Sequence, residues 1–95
     1  MYGLIAKLTI ASGRRDEMIA TLQAGTAAMP GCLSYIVAKD AADENTLWVT
    51  EVWDSEASHH ASFAMPAVKE AVTKGRALVT GFEKIAVTEP VWRAG

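Results

Sequence analysis

The sequence predicts an α+β domain in which two helical regions cover one face of a four-stranded antiparallel sheet. Apolar side chains alternate with a period of two in four stretches and recur at about 3.6 residues in two others. These stretches follow the order strand, helix, strand, strand, helix, strand, without an internal repeat or a linker. Two βαβ-like halves that share one sheet give the ferredoxin-like arrangement, as a single domain over residues 1–95.

The first strand and the first helix are marked by their periodicity. Residues 2–10 (YGLIAKLTI) alternate between mostly apolar and more polar positions, which is typical of a half-buried strand. Helical spacing then predicts a helix that begins near Arg14 and stops before Pro30-Gly31, with Ser12 as its N-cap.

Two further strands follow. Residues 32–40 (CLSYIVAKD) are rich in β-branched and aromatic side chains and lead into a polar turn. Residues 46–53 (TLWVTEVW) carry large apolar side chains on both faces, with Leu47 on one side and Trp48 and Val52 on the other. A strand that is apolar on both sides is expected to be covered on both sides.

The second helical region is expected to consist of two segments. Asp54 or Ser55 caps the first segment, and Pro66 begins the second, because proline is favoured in the first turn of a helix. Gly75 is the expected helix end. Residues 78–91 (LVTGFEKIAVTEPV) then form the last strand.

The composition narrows the class of protein. The 95 residues are 51% hydrophobic and carry a net charge of −2 without a basic stripe, so nucleic acid is a poor candidate partner. The apolar surplus indicates a second apolar surface, most simply a homodimer interface on the helix-free face of the sheet. No apolar run approaches the ~18 residues that a membrane span needs, and no signal-peptide pattern is present. We therefore expect a soluble, cytoplasmic protein without a membrane partner.

The sequence offers little for binding a metal or a cofactor. It contains two histidines and one cysteine, Cys32. His59 and His60 are adjacent, so on a helix they diverge by about 100° and cannot face one ion. No glycine-rich phosphate loop occurs. We expect neither a metal nor a cofactor, and we interpret Cys32 as a small buried hydrophobic residue.

The stretch EVWDSEASHHAS, residues 51–62, is the candidate site. Glu51 and Trp53 share one face of a strand, and the helix that follows would bring His59 close to both, with His60 directed elsewhere. Such a group is compatible with acid–base chemistry. It is equally compatible with ordinary packing of half-buried side chains, and the residues alone leave both interpretations open.

A longer run around this stretch, residues 29–68, has a recognisable pattern. It combines Pro-Gly-Cys before a strand, an acidic turn, Glu-x-Trp, and a capped helix with histidine, then Ser, an aromatic residue and Pro. This pattern resembles the antibiotic biosynthesis monooxygenase domain family. The resemblance implies a dimeric α+β barrel with a pocket between sheet and helices. It also implies oxidation of quinol- or anthrone-like aromatic compounds by molecular oxygen, without metal or flavin.

The resemblance also implies roles for individual residues. Glu51, Trp53 and His59 match the family pattern and are the expected catalytic residues. We expect His59 to act as the general base, because an unperturbed histidine has a pKa near ~6.5. Trp53 would hold the substrate ring, and Glu51 could orient His59. The expected substrate-binding residues are Phe63, Ser62 and Arg76.

Whether the chain is an enzyme is left open at this point. One alternative is a non-enzymatic dimer that binds a small molecule or acts in a stress response. Another is an isomerase that acts on a small carbonyl compound with the same base. Haem degradation is disfavoured, because Ala6 and Val72 stand where that branch of the family has an asparagine and the haem-ligating histidine.

Overall fold

A computed structural model describes residues 1–94 of the chain. Its elements are β1 (Tyr2–Ile10), α1 (Arg15–Thr26), β2 (Cys32–Lys39), β3 (Thr46–Trp53), α2 (Glu56–Ser62), α3 (Pro66–Arg76) and β4 (Val79–Thr88). The strands form one antiparallel sheet in the order β2-β3-β1-β4. The predicted ferredoxin-like arrangement is confirmed. None of the helices in the described residues is long and apolar enough to cross a membrane.

The register of the sheet decides which side chains face the helices. Leu4 of β1 lies opposite Glu51 of β3, and Leu8 lies opposite Leu47. Side chains of this parity pack together with Met18 of α1. The core therefore lies between the sheet and the helices, and its buried members are Ala6, Leu8, Ile10, Met18, Leu47, Val49 and Leu78.

The second helical region follows the sequence prediction closely. The Ser55 side chain caps α2 by accepting a hydrogen bond from the Ser58 N–H at 3.2 Å. Pro66 is the first residue of α3, as expected from its fixed φ. The two predicted segments are confirmed, with α3 ending at Arg76, one residue beyond Gly75.

The first helix begins near Arg14 as predicted, but its cap and its end differ from the sequence prediction. The predicted Ser12 cap is wrong: Arg14 occupies the N-cap position of α1 and makes no side-chain capping bond. Gly13 has a φ of 76°, so the chain turns between Ser12 and the helix. At the other end α1 stops at Thr26, in keeping with the disfavoured helical backbone at Met29, the residue before a proline.

The turn between α1 and β2 fixes the position of α2. Gly31 has a φ of 82°, and its carbonyl oxygen accepts a hydrogen bond from the Asp54 N–H at 2.9 Å. A Cβ at Gly31 would lie 2.6 Å from the Ser58 Cβ and 2.9 Å from Asp54 Oδ1. The turn and the start of α2 are therefore packed so closely that only glycine fits between them.

Gly31→Ala should destabilise the protein more than the matched variant Gly13→Ala. Both glycines have a positive φ, but a Cβ at Gly13 has open space around it. We expect a loss in the free energy of unfolding of roughly 2–4 kcal/mol for Gly31→Ala. For Gly13→Ala we expect a loss of about 1 kcal/mol. Urea unfolding followed by circular dichroism measures the free energy of unfolding of both variants. Equal losses would show that the close packing at Gly31 does not contribute to stability.

Candidate functional site

A cavity of about 340 Å³ opens between the sheet and the helices. Its wall is largely apolar and includes side chains from all three helices. All six residues predicted for the site lie in this wall: Glu51, Trp53, His59, Ser62, Phe63 and Arg76. A second cavity of about 510 Å³ shares part of the wall. Side chains that line both cavities, among them Glu51, His59 and Tyr35, stand at the boundary between the two.

Glu51 is held by Trp53, its neighbour on the same face of β3. Trp53 is completely buried, and its indole Nε1–H donates a hydrogen bond to Glu51 Oε1 at 3.0 Å. Burial raises the pKa of Glu51 above its ordinary value of 4.5, and the bond from Trp53 opposes this rise. Within residues 1–94 no salt bridge reaches Glu51. The cavity wall thus contains a carboxyl group that makes no salt bridge within residues 1–94, and burial favours its protonated form.

His59 points from α2 toward the sheet. Its ring centroid lies 5.4 Å from that of Trp53, 5.6 Å from that of Tyr2 and 5.2 Å from that of Phe63. His59 Nδ1 is buried and has no hydrogen-bond partner in the described part of the chain. The sequence predicts that Glu51 could orient His59; within residues 1–94 no hydrogen bond joins these two residues, and Glu51 accepts one from Trp53.

The surroundings of His59 favour its neutral form. Burial lowers its pKa below the ordinary 6.5, and the nearby charges of His60 and Lys84 lower it further, against an opposing effect of Glu56. His60 behaves differently. Its side chain is 70% exposed, and its Nε2 lies 3.9 Å from Glu56 Oε2. The two adjacent histidines therefore occupy different environments: His59 lines both cavities, whereas His60 is largely exposed and lines only the second cavity.

The remaining predicted residues contribute to the wall in different ways. Ser62 is buried, and its Oγ donates a hydrogen bond to the His59 carbonyl oxygen at 2.6 Å, so this hydroxyl secures the helix. Phe63 is half exposed, and Arg76 lies exposed at the end of α3. Both therefore stand where the cavity meets solvent.

Tyr35 is a wall residue that the sequence pattern did not reveal. It lies directly opposite Glu51 in the pairing of β2 with β3. Burial raises the pKa of Tyr35 well above its ordinary value of 10, and the neighbouring Glu51 and Cys32 add to this effect. The cross-strand register is the signal that would have identified Tyr35, and a sequence pattern alone does not supply that register.

The site shows no grouping typical of metal ligands. Within residues 1–94, no three His, Cys, Asp or Glu side chains come together in a way that could hold a metal ion. Cys32 is a free, half-buried thiol, and burial followed by the charge of Glu51 raises its pKa. A protonated thiol is a poor nucleophile, so the acid–base candidates in the wall remain Glu51 and His59.

The chain is similar to known proteins in sequence and in structure. Residues 1–74 match the family described as antibiotic biosynthesis monooxygenase. A crystal structure of a candidate antibiotic biosynthesis monooxygenase from Chloroflexus aurantiacus is 47% identical, with a TM-score of 0.96. The match covers 99% of this chain and 96% of that one. No curated protein gives a significant match.

More distant structures share the fold alone. A candidate antibiotic biosynthesis monooxygenase from Deinococcus radiodurans is 22% identical, with a TM-score of 0.78 and coverage of 100% of this chain and 97% of that one. A protein from Mycobacterium tuberculosis is 23% identical, with a TM-score of 0.78 and coverage of 99% and 98%.

Trp53→Phe should raise the pKa of Glu51, because the bond from the indole lowers that pKa and phenylalanine cannot donate it. A titration followed by NMR of the glutamate carboxyl carbons measures the change. Trp48→Phe is the matched control, because Trp48 donates its indole N–H to Asp40 at 2.8 Å and not to Glu51. A Glu51 pKa that is unchanged in Trp53→Phe, or shifted equally in both variants, would contradict this account.

Proposed function

Because the chain belongs to the antibiotic biosynthesis monooxygenase family, we propose that it oxidises a small aromatic compound, quinol- or anthrone-like, with molecular oxygen. One oxygen atom enters the product, and the other leaves as water together with two hydrogen atoms from the substrate. The observation that carries this proposal is a largely apolar cavity whose wall contains two groups able to accept a proton: Glu51, whose pKa burial raises, and His59, whose pKa burial lowers.

The size and lining of the cavity support an aromatic substrate. A volume of about 340 Å³ lies in the range of small-molecule sites. The His59 ring meets the rings of Trp53 and Phe63 edge-on, so three aromatic side chains lie together in the wall that a flat ring would contact. Apolar walls also exclude water, which strengthens the interactions of charged groups inside the cavity.

The chemistry requires removal of a proton from the substrate. A phenol or an enolisable ketone becomes electron-rich when it is deprotonated, and the anion can pass an electron to oxygen directly. Such an electron transfer requires neither a metal nor an organic cofactor. Glu51 and His59 are the two candidate bases. Trp53 fixes Glu51 in place, and Arg76 at the cavity wall places a positive charge within reach of a developing oxyanion.

Oxygen uptake with a panel of quinols and anthrones tests the proposed function. We expect consumption of oxygen by the purified protein in step with loss of substrate, and no product under anaerobic conditions. Ligand binding without oxygen uptake would indicate a non-enzymatic binding protein. A product formed without oxygen would indicate an isomerase. Either result would overturn the proposal.

The two histidines provide a matched pair of variants for the same assay. His59→Ala should lower turnover by roughly 10²-fold or more, because this ring lies in the cavity wall. His60→Ala should leave turnover nearly intact, since its side chain is largely exposed and does not line the first cavity. Equal effects of the two substitutions would show that His59 has no role in the mechanism.

The rate of the parent protein should rise with pH as the base loses its proton, through a pKa above 4.5 if the base is Glu51 or below 6.5 if it is His59.

We also propose that the chain forms a homodimer through the helix-free face of the sheet. That face carries Ile36, which is 56% exposed, along with the half-buried Trp48 and Val52. Beyond β4, Trp92 is 79% exposed, while Arg93 Nη1 donates to the Leu33 carbonyl oxygen at 2.6 Å and holds this segment at β2. Exposed apolar groups of this kind are typical of a surface covered by a partner.

Size-exclusion chromatography with light-scattering detection measures the mass of the assembly and tests the proposed dimer. We expect twice the chain mass at micromolar concentration, and a shift toward the monomer for Ile36→Glu, which places a charge in the proposed interface. Ala20→Glu is the control, because Ala20 is exposed on α1 and lies outside that interface. A monomeric parent protein, or the same shift for both variants, would disprove this assembly.

A further inference from the structure

We propose that Glu51 and Tyr35 form a subsite that binds the hydroxyl group of a phenolic substrate and removes its proton. The Glu51 carboxylate accepts the proton, and the Tyr35 hydroxyl donates a hydrogen bond to the substrate oxygen. This inference rests on the function proposed above. It adds the chemical group that the cavity recognises and assigns the role of base to Glu51.

The sheet places the two side chains next to each other. Tyr35 and Glu51 are direct partners in the antiparallel pairing of β2 with β3, and direct partners have Cβ atoms about 4.5–5.5 Å apart. Both side chains line both cavities. A hydroxyl group at the boundary between the cavities is therefore within reach of the carboxyl and the phenol together.

Each of the two side chains has hydrogen-bonding capacity left over. Trp53 occupies Glu51 Oε1, and no other bond to this carboxyl is found within residues 1–94. Tyr35 makes no side-chain hydrogen bond in the same range. Within residues 1–94 neither the free Glu51 oxygen nor the Tyr35 hydroxyl is among the fully buried atoms that lack a partner, so both are accessible from the cavities that their side chains line. A substrate hydroxyl is both a donor and an acceptor, so one such group satisfies the free carboxylate oxygen and the free tyrosine hydroxyl at once.

His59 is less suited than Glu51 to accept the proton. Its Nδ1 is buried without a partner among the described residues. A neutral imidazole carries one proton, and a proton on Nδ1 would bury an N–H that has no acceptor, which is rare in proteins. The proton therefore belongs on Nε2, and in that tautomer Nε2 donates a hydrogen bond. His59 then assists by donating to the substrate, and Glu51 is the base.

The proton transfer can be written atom by atom. The O–H bond of the substrate breaks, a new O–H bond forms on Glu51 Oε2, and the electron pair stays on the phenolate oxygen. A phenol has an ordinary pKa near ~10, so transfer to a carboxylate is unfavourable without help. Burial raises the pKa of the Glu51 carboxyl and so brings it closer to that of the substrate phenol. The hydrogen bond from the Tyr35 hydroxyl stabilises the phenolate as it forms.

Three probes that differ only at one substituent test the subsite under anaerobic conditions. They are naphthalene, 1-methoxynaphthalene and 1-naphthol, with dissociation constants measured by titration calorimetry. The ether oxygen can accept a bond from Tyr35 but offers no proton to Glu51. In the parent protein we expect 1-naphthol to bind most tightly and naphthalene most weakly, with about a 10-fold difference or more between them.

Two substitutions test whether the tighter binding of 1-naphthol depends on Glu51 and Tyr35. Glu51→Gln keeps an oxygen for Trp53 but loses the charge, and it should weaken 1-naphthol binding by about 10-fold. Tyr35→Phe should weaken both oxygen-containing probes by roughly 3- to 10-fold. Naphthalene binding should stay unchanged in both variants. Glu83→Gln is the control for loss of a carboxylate, because Glu83 is exposed on β4.

The outcomes separate this inference from the proposed function. Equal affinity of the parent protein for all three probes, or no binding of any, would overturn the subsite without the need for a variant. A preference for 1-naphthol that survives both substitutions would do the same. If the preference depends on Glu51 and Tyr35 but no oxygen is consumed, the subsite stands and the oxygenase proposal fails. If oxygen is consumed at the same rate after either substitution, the oxygenase proposal stands and the subsite fails.

Discussion

The hydrogen bond from the Trp53 indole to the Glu51 carboxyl is the contact on which the site depends. Trp53 is completely buried and pairs with Tyr2 of β1 and with Cys32 of β2, so three strands fix its position. A buried carboxyl is costly unless it is hydrogen-bonded. The indole satisfies one of its oxygens and leaves the other without a hydrogen bond within residues 1–94, in a side chain that lines the cavity.

The rest of the fold places other groups around this pair. The turn at Gly31 packs against the first turn of α2, and α2 in turn brings His59 over Trp53. Because successive residues on a helix are about 100° apart, His60 is carried into solvent by the same geometry. A shift of α2 by one residue would place the His60 ring where the His59 ring now lies. The close packing of the turn at Gly31 against α2 therefore helps to determine which histidine faces Trp53.

The sequence predicts those features that depend on one element at a time. The shared face of Glu51 and Trp53 follows from the alternation within a single strand, and the start of α3 follows from Pro66. The ferredoxin-like arrangement and the grouping of the six site residues were also predicted, but details of the local chain path and of strand pairing were not. Ser12 does not cap α1 because of the turn at Gly13, and Tyr35 went unnoticed because its alignment with Glu51 is set by the pairing of two strands, which is irregular near Cys32.

Mass spectrometry of the product formed under isotopically labelled dioxygen tests the central claim most directly. We expect each molecule of product to contain one labelled oxygen atom and the other labelled atom to appear in water, with turnover dependent on Glu51. A product without label, or with oxygen derived from unlabelled water, would contradict a monooxygenase at this site, however tightly the cavity binds an aromatic ring.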